Sequence, residues 1–268
     1  MKNLKNKIAV VTGAASGIGR SLAMQFLNQG ATVIACDINE AGLASLKSQT
    51  QNSDKLFIHT VDTGSKEQIA SFAKNVLEKF NYIDILINNA GISIGPYQFE
   101  QIKIEDYERI IDINLWGVIR TSKHFLPALI SRPEAAIVNI SSVFGLFGVP
   151  AQVPYCTTKY AVRGFSETLR TELSESAVAI TTVHPGGIKT GIVTNGIFYD
   201  DTREELGKKF EELAISSPEF AAQKIIEGIK AKKKRVFIGP DAHLIYFFSR
   251  VWPSALEWVA KRRLKKMS

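Results

Sequence analysis

Lys7-Ile8-Ala9-Val10-Val11-Thr12-Gly13-Ala14-Ala15-Ser16-Gly17-Ile18-Gly19 runs an apolar segment of strand length into a glycine-rich turn. A helical pattern from Arg20 to Gln29 follows, and Thr32-Val33-Ile34-Ala35-Cys36-Asp37 is a second strand ending on an acid. A strand, a glycine-rich turn, a helix and a strand with a carboxylate about 20 residues past the turn is a layout that holds a dinucleotide. The glycines let the backbone close tightly and approach a pyrophosphate, while the helix N-terminus offers N–H groups and positive dipole. Asp37 is placed to accept hydrogen bonds from an adenosine ribose and to repel a 2′-phosphate. Its neighbours Ile38 and Ser16 are not basic, so the reading favours NAD over NADP, with Arg20 the nearest dissenting charge. A strand-end cap is the plainer role for Asp37.

Outward from this unit the alternation continues. Residues 39–51 read as a helix, 56–59 as a strand leading to Val61-Asp62-Thr63, and 65–79 as an amphipathic helix with Ile69, Phe72, Ala73, Val76 and Phe80 at core spacing. Residues 83–87 form a buried strand that runs into Asn88-Asn89-Ala90-Gly91, where small and amide residues suit either a ligand's close approach or a tight turn. A long helix is expected from about 105 to 130 with Asn114 in its interior, a poor helix former that is costly to bury unpaired. Asn114 either caps a break or holds a water. Residues 136–140 are a strand delivering Ser141-Ser142, and 178–183 a strand ending in His184-Pro185-Gly186-Gly187-Ile188-Lys189-Thr190. Residues 191–216 show no strong period and read as a mobile lobe. Ser217-Pro218-Glu219 opens a helix by capping logic, and 235–238 is the last strand. Such alternation means α/β architecture: a parallel sheet with helices on both faces.

Tyr155 and Lys159 are four apart, hence one turn apart on a helical face, with Pro154 suited to that helix's first turn. A phenol titrates near pH ~10, so acting as a base near neutrality needs a drop of about 3 pH units, roughly 4 kcal/mol. A neighbouring Lys⁺ supplies part of it. Taken alone, the pair reads far more readily as a surface helix with a partly buried Tyr and a solvated Lys.

Thr12-Gly13-x-x-x-Gly17-x-Gly19, Asn88-Asn89-Ala90-Gly91, Asn114, Ser142, Tyr155-x-x-x-Lys159 and Pro185-Gly186 together resemble the short-chain dehydrogenase/reductase superfamily, in order, at family spacing, over roughly residues 5–240. The resemblance implies a single-domain Rossmann-type doubly wound sheet and hydride transfer between a nicotinamide cofactor and a carbonyl/alcohol pair. It makes Tyr155 the acid/base and Lys159 the group that lowers its pKa and bonds the nicotinamide ribose. Ser142 would hold the substrate oxygen, and Asn114 would seat a water linking Lys159 to solvent. Gly13, Ser16, Gly17, Ile18 and Gly19 would line the pyrophosphate, Asp62 and Thr63 the adenine, and Asn89, Ala90 and Gly91 the ribose. Pro185, Ile188 and Thr190 would meet the carboxamide and phosphate side. A homodimer or homotetramer through the Asn114 and Tyr155 helices is implied as well. Cys156 departs from the family's small residue and reads as a buried hydrophobe.

Three segments are expected to wall the substrate pocket: 92–99, 143–149 and 191–199. They hold Ile92, Ile94, Tyr97, Phe99, Val143, Phe144, Leu146, Phe147, Val149, Ile192, Val193, Ile197, Phe198 and Tyr199, with charge scarce before Asp200 and Asp201. An apolar alcohol or ketone fits: long-chain, alicyclic, steroid-like or retinoid-like. Two other readings stay open, an NADPH-dependent ketoreductase on carrier-bound acyl chains and a non-catalytic NAD(H) sensor.

The net charge of +7 hides a division. Residues 230–268 carry eleven Lys/Arg against Asp241 and Glu257, a local +9, which leaves −2 for residues 1–229. Residues 1–240 are thus read as the catalytic domain and 241–268 as a basic amphipathic tail. His243 to Phe248, Val251-Trp252 and Leu256 to Ala260 precede Lys261-Arg262-Arg263-Leu264-Lys265-Lys266, and no piece approaches the ~20 apolar residues of a spanning helix. The tail either lies on an anionic membrane surface or packs on the body or a partner subunit. Nucleic acid is not expected as a partner. Scattered histidines give no metal spacing, the two cysteines read as free thiols, and the polar N-terminus lacks a signal-peptide pattern, which together point to the cytoplasm.

Overall fold

The computed structural model describes residues 1–51 and 53–264. The first apolar run becomes β1 (Ile8–Thr12), buried along its whole length. It sits inside a parallel sheet with β2 (Thr32–Asp37), β3 (Leu56–Thr60), β4 (Ile85–Asn88), β5 (Ala135–Ile140), β6 (Val178–Pro185) and β7 (Arg235–Ile238). The strand order is β3-β2-β1-β4-β5-β6-β7. Val10 pairs with both Ile34 and Leu86, and Asn88 with Asn139. The order reverses between β1 and β4, so a crevice opens there at the strands' carboxyl ends, where such sheets bind ligands.

Both faces are covered, which is why the strands read as near-continuous apolar runs. Val11, Val33, Val138 and Val183 turn to one face and pack under α1 (Gly17–Asn28) and α8 (Pro218–Lys230). Val10, Ile34, Leu86 and Ile137 turn to the other and meet Phe72 of α3 (Lys66–Phe80) and Phe125 of α5 (Gly117–Ile130). Side-chain oxygens start several helices by accepting backbone N–H groups: Asn39 from Gly42 before α2 (Glu40–Ser48), Ser65 from Gln68, and Ser217 from Phe220.

Two expectations need correction. The single helix over 105–130 is divided into α4 (Ile104–Ile111) and α5 by a π-helical turn, Asp112–Trp116, with Asn114 inside it. The buried Asn114 amide inside that turn bonds the Ile92 backbone of the facing loop rather than its own helix. The region 191–216 is not featureless, since it contains α7 (Arg203–Leu213). Its first half is also tied to the 92–97 loop, through an Ile94–Ile197 bridge and bonds from Gly95 N to Ile197 O and Ile197 N to Ser93 O.

Beyond β7 the chain forms α9 (Pro240–Val251) and α10 (Pro253–Leu264). Among the described residues no helix is long and apolar enough to cross a membrane. Lys265 and Lys266 of the basic run lie outside the described residues.

Candidate active site

α6 (Val153–Glu172) carries Pro154 in its first turn and presents Tyr155 and Lys159 toward the end of β5. Lys159 is buried, and its Nζ donates to the carbonyl of Ile140, the last residue of β5, at 3.0 Å. Nζ stands 5.4 Å from the centre of the Tyr155 ring. The hydroxyl of Ser141 donates to the Lys159 carbonyl at 2.8 Å, so strand and helix are stitched together at the pair. The Ser142 hydroxyl accepts from Phe144 N at 3.1 Å and exerts a downward pull on the Tyr155 phenol's pKa.

Asn114 is fully buried and fully paired. Its Oδ1 accepts from Ile92 N at 2.8 Å, while Nδ2 donates to Ile92 O at 2.8 Å and to Thr158 Oγ1 at 3.3 Å. The amide therefore holds the 91–92 backbone directly. A Cβ on Gly91 would lie 3.1 Å from Asn114 Oδ1 and 3.4 Å from Lys159 Nζ, so Gly91, Asn114 and Lys159 meet at one point. Tyr155, Ser142, Lys159 and Asn114 form one constellation.

The electrostatics differ from the sequence expectation. Burial pushes the Tyr155 phenol up to about 12, against a smaller downward pull from Ser142. Burial also pushes Lys159 down to about 8. In the protein alone, loss of water outweighs the downward pull of Ser142 on the phenol.

Across the crevice lies the glycine-rich turn. Gly13 and Gly17 have φ of 66° and 52°, the left-handed region where a side chain is strained. A Cβ at Gly19 would run into the carbonyl of Gly13. Ser16 makes no side-chain cap on α1, and no acid stands in its first turn. The helix N-terminus thus keeps backbone donors for an anion, and the turn is shaped to let one approach, so these residues fit a dinucleotide's pyrophosphate. Thr190 reaches the same place, since a Cβ on Gly17 would touch its side chain at 3.0 Å. Asp37 lies beside the turn and accepts from Ala15 N at 2.9 Å. The Arg20 guanidinium is engaged at the same turn, donating to Ala15 O, Gly42 O, Ser45 Oγ and Gln49 Oε1.

Other expected cofactor residues are close by with parts of their chemistry already engaged. The Asn89 amide donates to Thr12 O and Gly13 O, and Thr12 Oγ1 accepts from both Asn89 N and Ala90 N. Asn89 thereby braces the turn. The Asp62 carboxylate is paired with Arg109 at 2.8 Å and accepts from Gly64 N, while Thr63 is buried beside it. Ile188 is buried and bridged to Ser216, and Pro185 is paired opposite Ile238.

Two sets of residues were missed in the sequence. Asn88 Nδ2 donates to Ser122 Oγ and Asn139 Oδ1, Thr121 donates to Asn88 Oδ1, and Asn139 Nδ2 donates to Ser166 Oγ. This buried chain links α5, β4, β5 and α6 and fixes the helix bearing Tyr155. An Asn inside the apolar run Ala135–Ile140 was its signal. The second set is His184 and Phe237, stacked at 5.3 Å, with the imidazole against the Ser142 carbonyl.

The comparisons agree with this geometry. The pattern for short chain dehydrogenases matches residues 7–197. SadH of Mycobacterium tuberculosis, assigned to the oxidoreductases, is 37% identical over 267 residues, covering 96% of this chain and 95% of its own. A short chain dehydrogenase/reductase from Burkholderia phymatum, solved in complex with NAD, superposes with a TM-score of 0.85 at 24% identity over 96% of each chain. A serine dehydrogenase complexed with NADP+ superposes with a TM-score of 0.76 at 29% identity, over 82% of this chain and 88% of its own. The protein belongs to the short-chain dehydrogenase family and is an oxidoreductase of that family.

Proposed function

We propose that this enzyme moves a hydride between NAD(H) and an apolar secondary alcohol or ketone, with Tyr155 handling the hydroxyl proton. The observation that carries the reading is the convergence of Tyr155, Ser142, Lys159 and Asn114 across the crevice from an uncapped, glycine-lined helix N-terminus. A bound nicotinamide supplies the hydride donor or acceptor. The neutral Tyr155 phenol can give its proton to a carbonyl oxygen, and its phenolate can take one from an alcohol. The Ser142 hydroxyl, on the loop that follows β5 beside that phenol, would donate to the same substrate oxygen. Lys159, at about 8, remains cationic at neutral pH and favours the phenolate when it forms.

The apolar substrate class is supported by the walls. Phe144 packs edge-on to both Tyr155 and Phe147 at 6.0 and 6.1 Å, while Tyr97 stacks on Tyr199 at 4.6 Å. Ile94, Tyr97, Val143 and Leu146 are buried and serve as packing. Phe144, Phe147 and Phe198 keep part of their surface and would meet the substrate. NAD is preferred because Asp37 stands by the turn while the nearby Arg20 guanidinium is already engaged with Ala15 O and the residues of α2.

The reading extends to assembly. The outer face of α9 exposes Leu244, Phe247 and Val251 at helical spacing, followed by Trp252 and Trp258. Arg250, Lys261 and Arg262 are exposed among them. A 12-residue helix is about 18 Å long, so this face would lie on an anionic bilayer rather than cross it. Sedimentation with phosphatidylserine vesicles at low salt tests this, and binding equal to that of a Phe247→Glu, Trp252→Glu variant would reject it. Self-association is proposed through the helices bearing Asn114 and Tyr155, where Trp116 and Tyr160 stand exposed. A monomeric sedimentation coefficient would reject that part.

The central experiment is turnover at 340 nm with NAD and NADP on medium-chain, alicyclic and steroid-type alcohols, with Tyr155→Phe alongside. NAD-dependent turnover, reduced on the order of 1,000-fold in the variant, is the expected result. Better turnover of sugars or small hydroxy acids overturns the substrate class, and full activity of Tyr155→Phe overturns the mechanism.

A further inference from the structure

β7 ends at Ile238, and Gly239, at φ 93°, turns the chain directly into α9. The second residue of that helix, Asp241, aims its carboxylate back at the loop after β6. Its Oδ2 accepts from the backbone N–H of Gly187 at 2.9 Å. The carboxylate fills the space beside two glycines: a Cβ on Gly186 or on Gly239 would run into its oxygens. Gly186 is therefore as much Asp241's requirement as the loop's own. Gly187 sits between Pro185, at the end of β6, and Thr190, whose side chain lies against Gly17 of the glycine-rich turn.

The same helix reaches the other half of the site. Tyr246 lies 4.3 Å from Phe237, Phe237 stacks on His184, and the His184 ring is bonded to the Ser142 carbonyl. α9 lies beyond the 7–197 match, yet it touches both loops that flank the reacting centre. A helix that merely covered an edge strand would need apolar contacts only. A carboxylate desolvated against backbone is costly unless its bond serves the loop it holds.

We propose that Asp241 is a positioning residue for the 185–190 loop: it fixes the Gly187 peptide so that the loop stands correctly against the nicotinamide end of the cofactor. The inference rests on the NAD(H) site proposed above. It places the start of the basic tail inside the working body of the enzyme.

The test compares the full-length chain with Asp241→Ala, which removes the acceptor, Asp241→Asn, which keeps an oxygen for Gly187 N, and Asp241→Glu, which keeps the charge but moves it by a methylene. Three quantities are read: hydrogen exchange at the Gly187 amide without cofactor, NADH affinity by fluorescence, and KM for cofactor and alcohol separately. Asp241→Ala and Asp241→Glu should exchange Gly187 faster, weaken NADH about tenfold, or about 1.4 kcal/mol, and leave the alcohol KM within about twofold. Asp241→Asn should stay near wild type in all three. Should Asp241→Ala not fold, Asp241→Glu against Asp241→Asn carries the comparison. Unchanged NADH affinity and exchange in Asp241→Ala overturn the inference, as does an Asp241→Asn loss equal to that of Asp241→Ala. A wild-type protein that fails to bind NADH overturns the cofactor site, while the exchange arm still judges Asp241's hold on the loop.

Discussion

The carbonyl oxygen of Ser142 lies 3.1 Å from Nδ1 of His184. A carbonyl can only accept, so Nδ1 carries the proton and Nε2 is left as a bare acceptor. Nε2 is buried with no partner among the described residues, and the ring's face is closed by Phe237. The backbone beneath the Ser142 side chain is thus held by an imidazole that must stay neutral. Burial is the main reason its pKa is pushed down to about 4.

The consequence is acid sensitivity. Between pH 6.5 and about 4 the unfolded chain takes up a proton at His184 and the folded chain does not. Stability from this group is therefore complete above about 6.5 and is lost as pH falls toward about 4. Urea denaturation at pH 7 and 4.5 should differ by about 2 kcal/mol more in wild type than in His184→Asn. The asparagine keeps a donor near the Nδ1 position without titrating. Equal pH dependence in the two proteins would remove His184 as the cause.

A second prediction concerns Asp84, just before β4 and fully buried. It accepts from Ile8 N at 3.0 Å, Arg132 Nε at 3.0 Å and Lys7 Nζ at 3.4 Å, pinning the entry of β1 to the centre of the sheet. Arg132 also stacks 3.8 Å over Tyr82 and keeps part of its exposure. Removing the acid orphans a buried N–H and unbalances the cations, so Asp84→Ala should cost about 3 kcal/mol in urea denaturation. Arg132→Ala should cost less, because Lys7 and Ile8 N remain on the carboxylate.

The sheet and the crevice were legible because β1, β2, β4 and β5 are apolar along their length and each ends on small or polar residues. The Tyr155 constellation was legible because α6 carries its pair four residues apart. What escaped depended on long-range pairing. Asn88 and Asn139 look like defects in apolar strands until β4 and β5 are set side by side, when each becomes the other's partner. Asn114 stands out in the sequence as a poor helix former, but neither the π-turn nor its bonds to Ile92, 22 residues away, has a local signal. His184 and Asp241 act across 42 and 54 residues of sequence, and no local pattern encodes either contact.

Asn114 supplies the third prediction. Its amide uses both an acceptor and a donor on Ile92. Asn114→Ala should destabilise the protein by about 2 kcal/mol, since the Ile92 N–H and carbonyl both lose their partner. Asn114→Asp should be worse, because a second acceptor would face the Ile92 carbonyl in a buried place. Thermal denaturation ranks the two. The reverse order would mean that the 91–92 backbone finds other partners once the amide is gone.

The proposed preference for NAD rests on Asp37. One carboxylate oxygen accepts from Ala15 N and the other from Asn39 N, both at 2.9 Å, so the side chain is fixed at the end of β2 beside the glycine-rich turn. Ile38 is exposed, and the Arg20 guanidinium is occupied with the backbone and side chains around α2. A 2′-phosphate entering this corner would meet a negative charge, while the neighbouring Arg20 guanidinium already directs its donors to protein groups. At a few ångströms, in a partly solvated site, that repulsion amounts to about 1–2 kcal/mol. Asp37→Asn keeps an acceptor for Ala15 N while removing the charge, so the ratio of kcat/KM for NAD to that for NADP should fall about tenfold or more. Adding Ile38→Arg should lower it further by supplying the missing cation. A wild-type preference for NADP that Asp37→Asn leaves unchanged would mean that the phosphate approaches from the Arg20 side, with α2 rearranged to release that guanidinium.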